Sequence, residues 1–214
     1  MTNEIRFKIC GLTSEQAVFD VANAGAHYIG LNFFPKSPRY AAPDLARDLS
    51  LATPIGVAKV GLFVDADDTT LDHIIDHVPL DMIQLHGSET PHRVREVKNR
   101  YGLPVIKALG ISAADDLAKI ELFNAVADQI LVDAKPPKDA VLPGGNGLSF
   151  DWTLIAGRRW PIPWLLAGGL TPENAALAVE MTGARQLDVS SGVESAPGIK
   201  DAEKIRAFIA AVNG

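Results

Sequence analysis

Cys10 is the only cysteine in 214 residues, and it closes the apolar run Arg6–Cys10. A thiol ionises near pH ~8.5, and a nearby cation lowers that value, so such a cysteine can serve as nucleophile or general base. Asp133 follows the run Gln129–Val132. A carboxylic acid in a closed, partly apolar site can keep its proton to higher pH and then donate it. A thiol base and a carboxylic acid at two strand ends form a proton-transfer pair. The plainer alternatives are a buried small hydrophobe for Cys10 and a loop-capping carboxylate for Asp133.

Three glycine turns late in the chain suit an anion: Gly144-Gly145-Asn146-Gly147, Gly168-Gly169 and Ser190-Ser191-Gly192-Val193. Glycine lets backbone N–H groups approach a phosphate closely. Any one pair alone reads as an ordinary turn, whereas adjacent loops carrying them point to phosphate. Arg39 lies in Phe34-Pro35-Lys36-Ser37-Pro38-Arg39-Tyr40, a loop stiffened by two prolines. It suits a carboxylate bidentately, or equally a solvated loop. His86 is the one histidine at a strand end, which gives it a binding role. His73 and His77 are spaced i, i+4 but lie off the apolar face of their helix, with no third ligand. His27 and His92 read as surface residues. No cluster has metal-ligand spacing, so the expectation is no metal and no cofactor.

These residues need elements to hold them. Short apolar runs recur at Arg6–Cys10, Tyr28–Phe33, Ala58–Phe63, Met82–Leu85, Val105–Ala108, Gln129–Val132, Trp164–Ala167 and Gln186–Val189. Their spacing suits parallel strands joined by helical crossovers, and their continuous apolarity suits strands covered on both faces. Between them, Leu71, Ile74, Ile75 and Val78 mark one amphipathic helix face. Ile205, Phe208, Ile209 and Val212 mark another, over about 201–212. Thr13 with Gln16 predicts a capping box, and Gly25 a helix stop. Thr90-Pro91 and Thr171-Pro172 predict capped helix starts. Eight such units in this length favour a (β/α)8 TIM barrel of the α/β class, as a single domain over 1–214, above an open doubly wound sheet. The carboxyl ends of the strands then share one rim carrying Cys10, Phe33 to Arg39, Phe63-Val64-Asp65, His86, Lys107, Asp133, Gly168-Gly169 and Asp188 with Ser190-Ser191-Gly192.

The formal net charge is −6, and no Lys/Arg cluster stands out, which argues against nucleic acid. No apolar stretch approaches the ~18 residues of a membrane span. A lone thiol and no visible signal peptide lead to the expectation of a reducing, cytoplasmic setting.

Taken together, Lys8-Ile9-Cys10-Gly11, Phe34 through Arg39, Val60-Gly61-Leu62-Phe63-Val64, Gln84-Leu85-His86-Gly87, Gly144-Gly145-x-Gly147 with Phe150-Asp151-Trp152, Leu166 through Leu170, and Asp188 through Glu194 resemble the phosphoribosylanthranilate isomerase family of tryptophan biosynthesis. The resemblance spans nearly the whole chain in order. It implies a (β/α)8 barrel and an Amadori rearrangement of N-(5-phospho-β-D-ribosyl)anthranilate to 1-(2-carboxyphenylamino)-1-deoxy-D-ribulose 5-phosphate. It implies that Cys10 is the general base and Asp133 the general acid. Arg39 would bind the anthranilate, and Asp188 corresponds to the family's strand-eight aspartate. Gly145, Gly147, Gly168, Gly169, Ser190, Ser191 and Gly192 would hold the phosphate. The partner expected is therefore a small phosphorylated aminosugar, with no nucleic acid or membrane, and the chain acting as monomer or homodimer. Two positions depart from the family's habit, Ala134 and Asn146, where Thr or Ser is common. The segment Ala134–Ser149 is long for its place and is a candidate lid. The nearest competing reading is the histidine-pathway aminoaldose isomerase, which uses aspartate where Cys10 stands. A second is a silent anion-binding barrel, which has no need of Cys10 or Asp133.

Overall fold

The computed structural model describes residues 4–135, 144, 145 and 147–213. Eight parallel strands pair in chain order: β1 (Arg6–Cys10), β2 (Tyr28–Asn32), β3 (Ala58–Phe63), β4 (Met82–Leu85), β5 (Val105–Ile111), β6 (Gln129–Ala134), β7 (Trp164–Leu166) and β8 (Gln186–Val189). β1 also pairs with β8, Lys8 opposite Asp188, which closes the sheet into a barrel and excludes the open-sheet alternative. β5 and β6 run further than their apolar cores suggest. They stay paired through Gly110 with Asp133 and Ile111 with Ala134, so Asp133 belongs to the strand itself.

Seven α-helices cover the barrel among the described residues: α1 (Glu15–Asn23), α2 (Pro43–Ala52), α3 (Asp68–His77), α4 (Pro91–Tyr101), α5 (Leu117–Phe123), α6 (Ala175–Thr182) and α7 (Ala202–Asn213). The strand–helix rhythm predicts an eighth between β6 and β7. The described part of that crossover holds only a 3₁₀ turn at Trp152–Leu154, because Gly157, Pro161 and Pro163 break any longer helix. Two cap assignments also change. The cap of α1 is Ser14, which accepts from Ala17 N at 3.3 Å, while Thr13 donates to the Gly198 carbonyl and Gln16 to Asp20. α6 starts at Ala175 rather than at Pro172. Asn174 binds Thr171 N and the Gly169 carbonyl and so holds 171–174 as a turn. Thr90 does cap α4, Gly25 stands just past α1 with φ +88°, and α7 buries Ile205, Phe208 and Ile209 with Val212 partly covered.

The core has two layers. Phe7, Ile9, Ile29, Leu31, Ile83 and their like fill the space between strands and helices. Tyr28, Val60, Met82, Ile106, Ala108, Leu131, Leu165 and Ala167 fill the barrel interior. Side chains alternate along a strand. Lys8 and Cys10, alternating with Phe7 and Ile9, therefore point inside the barrel. Lys107, between Ile106 and Ala108, points outward, with its ammonium over the Phe123 ring of α5. The sequence reading that puts Lys107 on the rim is thus corrected by strand phase.

Candidate active site

A cavity opens at the carboxyl ends of the barrel strands. Cys10, Arg39, His86, Asp133, Asp188 and the glycine and serine turns line it, whereas Phe33, Asp65 and Lys107 of the expected rim do not. Cys10 enters from β1 and Asp133 from β6, three steps around the barrel through β7 and β8. Both are buried, at 5% and 7% exposure, yet border the cavity.

Cys10 needs room that β2 supplies. Gly30 is its Cα partner, and a Cβ there would lie 2.7 Å from the sulphur. Any larger residue at 30 would displace the thiol. Burial raises the Cys10 thiol above its ordinary value; Lys8 offsets part of that, Asp188 adds to the rise, Lys200 offsets a little more, and the net direction stays up. Asp133 is held at both oxygens. Ala134 N donates to Oδ1 at 2.7 Å, and His86 Nε2 lies 3.3 Å from Oδ2. The Gln84 amide, 2.8 Å from His86 Nδ1, orients the ring as a donor to that nitrogen, which leaves the ring N–H on Nε2 facing Asp133. His86 thus touches Asp133 as well as the cavity.

Arg39 is buried, at 6% exposure, not solvated. Its Nε and Nη2 donate to Glu194 at 2.7 and 2.9 Å. The bidentate edge that sequence reasoning kept for a ligand is therefore occupied, and Nη1, beside Gly145, remains for the cavity. Glu194 also accepts from Lys200 Nζ at 2.7 Å. Burial would raise the Glu194 carboxyl, but the Arg39 hydrogen bond and Lys200 hold it below the ordinary range.

Gly145, Gly147, Gly168, Gly169, Ser190, Ser191 and Gly192 all line the cavity. At Gly192 a Cβ would collide with the Leu170 carbonyl oxygen, so only glycine lets the turn after β8 reach the turn after β7. Ser190 Oγ donates to the Cys10 carbonyl at 2.9 Å, and Lys200 Nζ donates to the Ser190 carbonyl at 3.1 Å. The anion-type turn and the thiol-bearing strand are therefore one tied unit. Asp188 reaches the cavity from β8 and accepts from Lys8 Nζ at 2.8 Å. Among the described residues no group of three or more His, Cys, Asp or Glu side chains could hold a metal ion. His77 pairs with Asp44 on the outer surface, and His27 accepts from Phe7 N and is half-buried, not a plain surface residue. Most of the candidate lid and Asn146 lie outside the described residues.

The family model described as N-(5'phosphoribosyl)anthranilate (PRA) isomerase matches residues 7–211. The chain belongs to this family. The N-(5'-phosphoribosyl)anthranilate isomerase of Cereibacter sphaeroides is 62% identical over 205 residues, covering 96% of this chain and 97% of that one. The crystal structure of the isomerase from Thermotoga maritima superposes with a TM-score of 0.88 at 36% identity, covering 98% and 99% of the two chains. A phosphoribosyl anthranilate isomerase in complex with reduced 1-(o-carboxyphenylamino)-1-deoxyribulose 5-phosphate gives 0.86 at 34% identity, with the same coverage.

Several residues of this family member's site escape sequence reasoning. Lys8, Gly30, Gln84, Glu194 and Lys200 each contact a predicted site residue. Lys8 had a readable signal, being two residues before Cys10 on one strand and so on the same face. Gly30, a glycine inside a strand, had another, since such glycines mark close approach. Glu194 stands in the sequence only as the end of the motif from Asp188, and Lys200 has no signal, because their roles depend on a hairpin, β9 (Glu194–Ala196) with β10 (Ile199–Lys200), folding back over Arg39.

Proposed function

We propose that this chain, as one domain over residues 1–214, catalyses the Amadori rearrangement of N-(5-phospho-β-D-ribosyl)anthranilate to 1-(2-carboxyphenylamino)-1-deoxy-D-ribulose 5-phosphate. The observation that carries the reading is a single cavity with a thiol and a carboxyl group facing it from β1 and β6, bordered by three glycine or serine turns. The substrate carries one phosphate, one carboxylate and a sugar between them, and the cavity offers groups for each.

The phosphate sits on the turns at Gly145–Gly147, Gly168-Gly169 and Ser190–Gly192, where backbone N–H groups meet an anion. Arg39 Nη1 takes the anthranilate carboxylate through its remaining edge. Asp133 gives its proton to the furanose ring oxygen as the C1–O bond breaks. The amine lone pair forms the Schiff base. The His86 N–H then meets the carboxylate left behind. Cys10 thiolate removes the C2 proton, and the C–H electrons form the enolamine while the iminium nitrogen recovers its lone pair. Tautomerisation gives the ketone at C2. Positioned acid and base groups of this kind contribute ~10²–10⁴-fold each, and the remote phosphate supplies orientation. Asp188 contacts the sugar from β8.

The chemistry asks for no cofactor or metal. No helix among the described residues is long and apolar enough to cross a membrane. The lone thiol suits a cytoplasmic location, and the chain acts as a monomer or a homodimer. The test is turnover of phosphoribosylanthranilate by the purified protein, followed as loss of anthranilate-type fluorescence. Absence of turnover in a folded preparation overturns the proposal.

A further inference from the structure

Lys8 is completely buried inside the barrel, on the same face of β1 as Cys10 and one pleat beneath it. Its ammonium donates to Asp188 Oδ1 at 2.8 Å and also reaches the Cys10 thiol. A lysine carries three donors. One serves Asp188 and another is directed at the thiol. A buried lysine–carboxylate pair is seldom more stable than apolar side chains of the same volume, so stability does not explain a lysine at this point. Its position relative to the sulphur does.

The charges around the thiol support that account. β1 presents Lys8, and β8 presents Asp188. The β9–β10 hairpin presents Lys200 with Glu194, the β2–α2 loop presents Arg39, and β2 presents Gly30 without charge. Across the cavity stand Asp133 and His86. On the Cys10 side three cations, Lys8, Arg39 and Lys200, face two carboxylates, Asp188 and Glu194. Of these, Lys8 and Lys200 oppose the effect of burial on the thiol, and Asp188 adds to it.

We propose that Lys8 is the positioning residue that favours ionisation of Cys10 against its burial, its ammonium shared between Asp188 and the sulphur. The inference rests on Cys10 being the base, and it adds that the base is prepared from inside the barrel before substrate arrives. Burial alone would lower the Lys8 ammonium, but Asp188 and Cys10 outweigh burial and raise it, so it stays charged. As Cys10 loses its proton, the ammonium gains a second anionic neighbour and keeps the first. When the thiolate takes the C2 proton, the pair with Asp188 remains intact.

Because the chain has a single cysteine, the ultraviolet absorbance of the thiolate reports Cys10 alone, with Cys10→Ser as blank. Three proteins are titrated: the wild type, Asp188→Asn, and Lys8→Met with Asp188→Asn. The double variant removes the ammonium without leaving a buried unpaired carboxylate. Its thiol is expected to titrate about 1–3 pH units above that of Asp188→Asn, the range for loss of a close opposite charge. The fall in kcat/KM at neutral pH is expected to recover as pH rises through the new thiol value. Equal titration of the single and double variants overturns the proposal. Should the double variant fail to fold, Lys8→Gln replaces it. That side chain can still donate to Asp188 but has no charge, and a thiol titrating as in the wild type would again overturn the proposal. Failure of the parent reading is separate: wild-type turnover in Cys10→Ser denies Cys10 its role as base and leaves the titrations as measured.

Discussion

Two lysines, Lys8 and Lys107, are buried in this barrel to nearly the same degree and differ in almost everything else. Lys107 donates to the carbonyls of Leu85 and Gly87, at 3.3 and 2.7 Å, and to Glu89 at 2.6 Å. All three of its donors are used, by groups that pin the β4–α4 turn. Glu89 in turn accepts from Asp65 N and Gly87 N. Lys8 donates to Asp188 and reaches the Cys10 thiol. Lys107 lies between barrel and helices, and Lys8 lies inside. The difference teaches that burial and pairing do not by themselves identify a functional lysine. The reactive partner and the face of the strand do.

The comparison breaks if the inner group does not control chemistry. Cys10→Ser is expected to lower kcat by about 10²–10⁴-fold in a protein with wild-type circular dichroism. Serine fills the space beside Gly30 but does not ionise in this range, so near-wild-type kcat would remove Cys10 as the base. Asp133→Asn should cost at least about 10²-fold in kcat while a stable product analogue binds nearly as before. A collapse of affinity would instead make Asp133 a binding residue.

The outer pair should answer differently. Lys107→Met leaves Glu89 buried without its cation and is expected to cost about 3–5 kcal/mol of stability. Denaturant unfolding measures that loss, and the Cys10 titration should not move. A shifted thiol would erase the contrast between the two lysines. Arg39→Ala should raise KM by about tenfold, the scale of one charged hydrogen bond, and lower kcat less. Its partner Glu194 retains Lys200, so the cluster keeps one ion pair. Unchanged KM would show that Nη1 does not hold substrate.

The smallest effect belongs to Asp116, a buried carboxylate that does not line the cavity. Burial would raise it, but Lys135, Lys119 and Ser112 hold it well below the ordinary range. A depressed carboxylate contributes stability that is complete above the unfolded aspartate value near ~3.9 and is lost as pH falls below it toward the folded value. Asp116→Asn should flatten that acid limb in a pH series of thermal unfolding and leave the neutral-pH thiol titration unaltered.

Strand positions, the main amphipathic helix faces and the rim residues were legible because each rests on local pattern: apolar runs, 3.6-residue periodicity, and reactive groups at run ends. Cap details were less so. Thr13 and Ser14 are both competent caps, and the choice fell to Ser14 because Thr13 is engaged by Gly198. Lys107 was misplaced by one step of strand phase, which reverses the face. Arg39 was legible as an anion-binding type, but not its prior pairing with Glu194, a residue 155 positions away.

The order of strands, the single thiol, the carboxylate on β6 and the glycine turns follow from the sequence alone, since each is a property of residue type and short-range spacing. Barrel closure decided the rest. It set Lys8 against Asp188 across 180 residues, brought Gly30 against the sulphur, and folded Lys200 over the turn after β8. Those contacts depend on register and on distance through space, and no local pattern encodes either. That is why the reacting groups could be read from the chain, while the groups that set their charge appeared only once the barrel was closed.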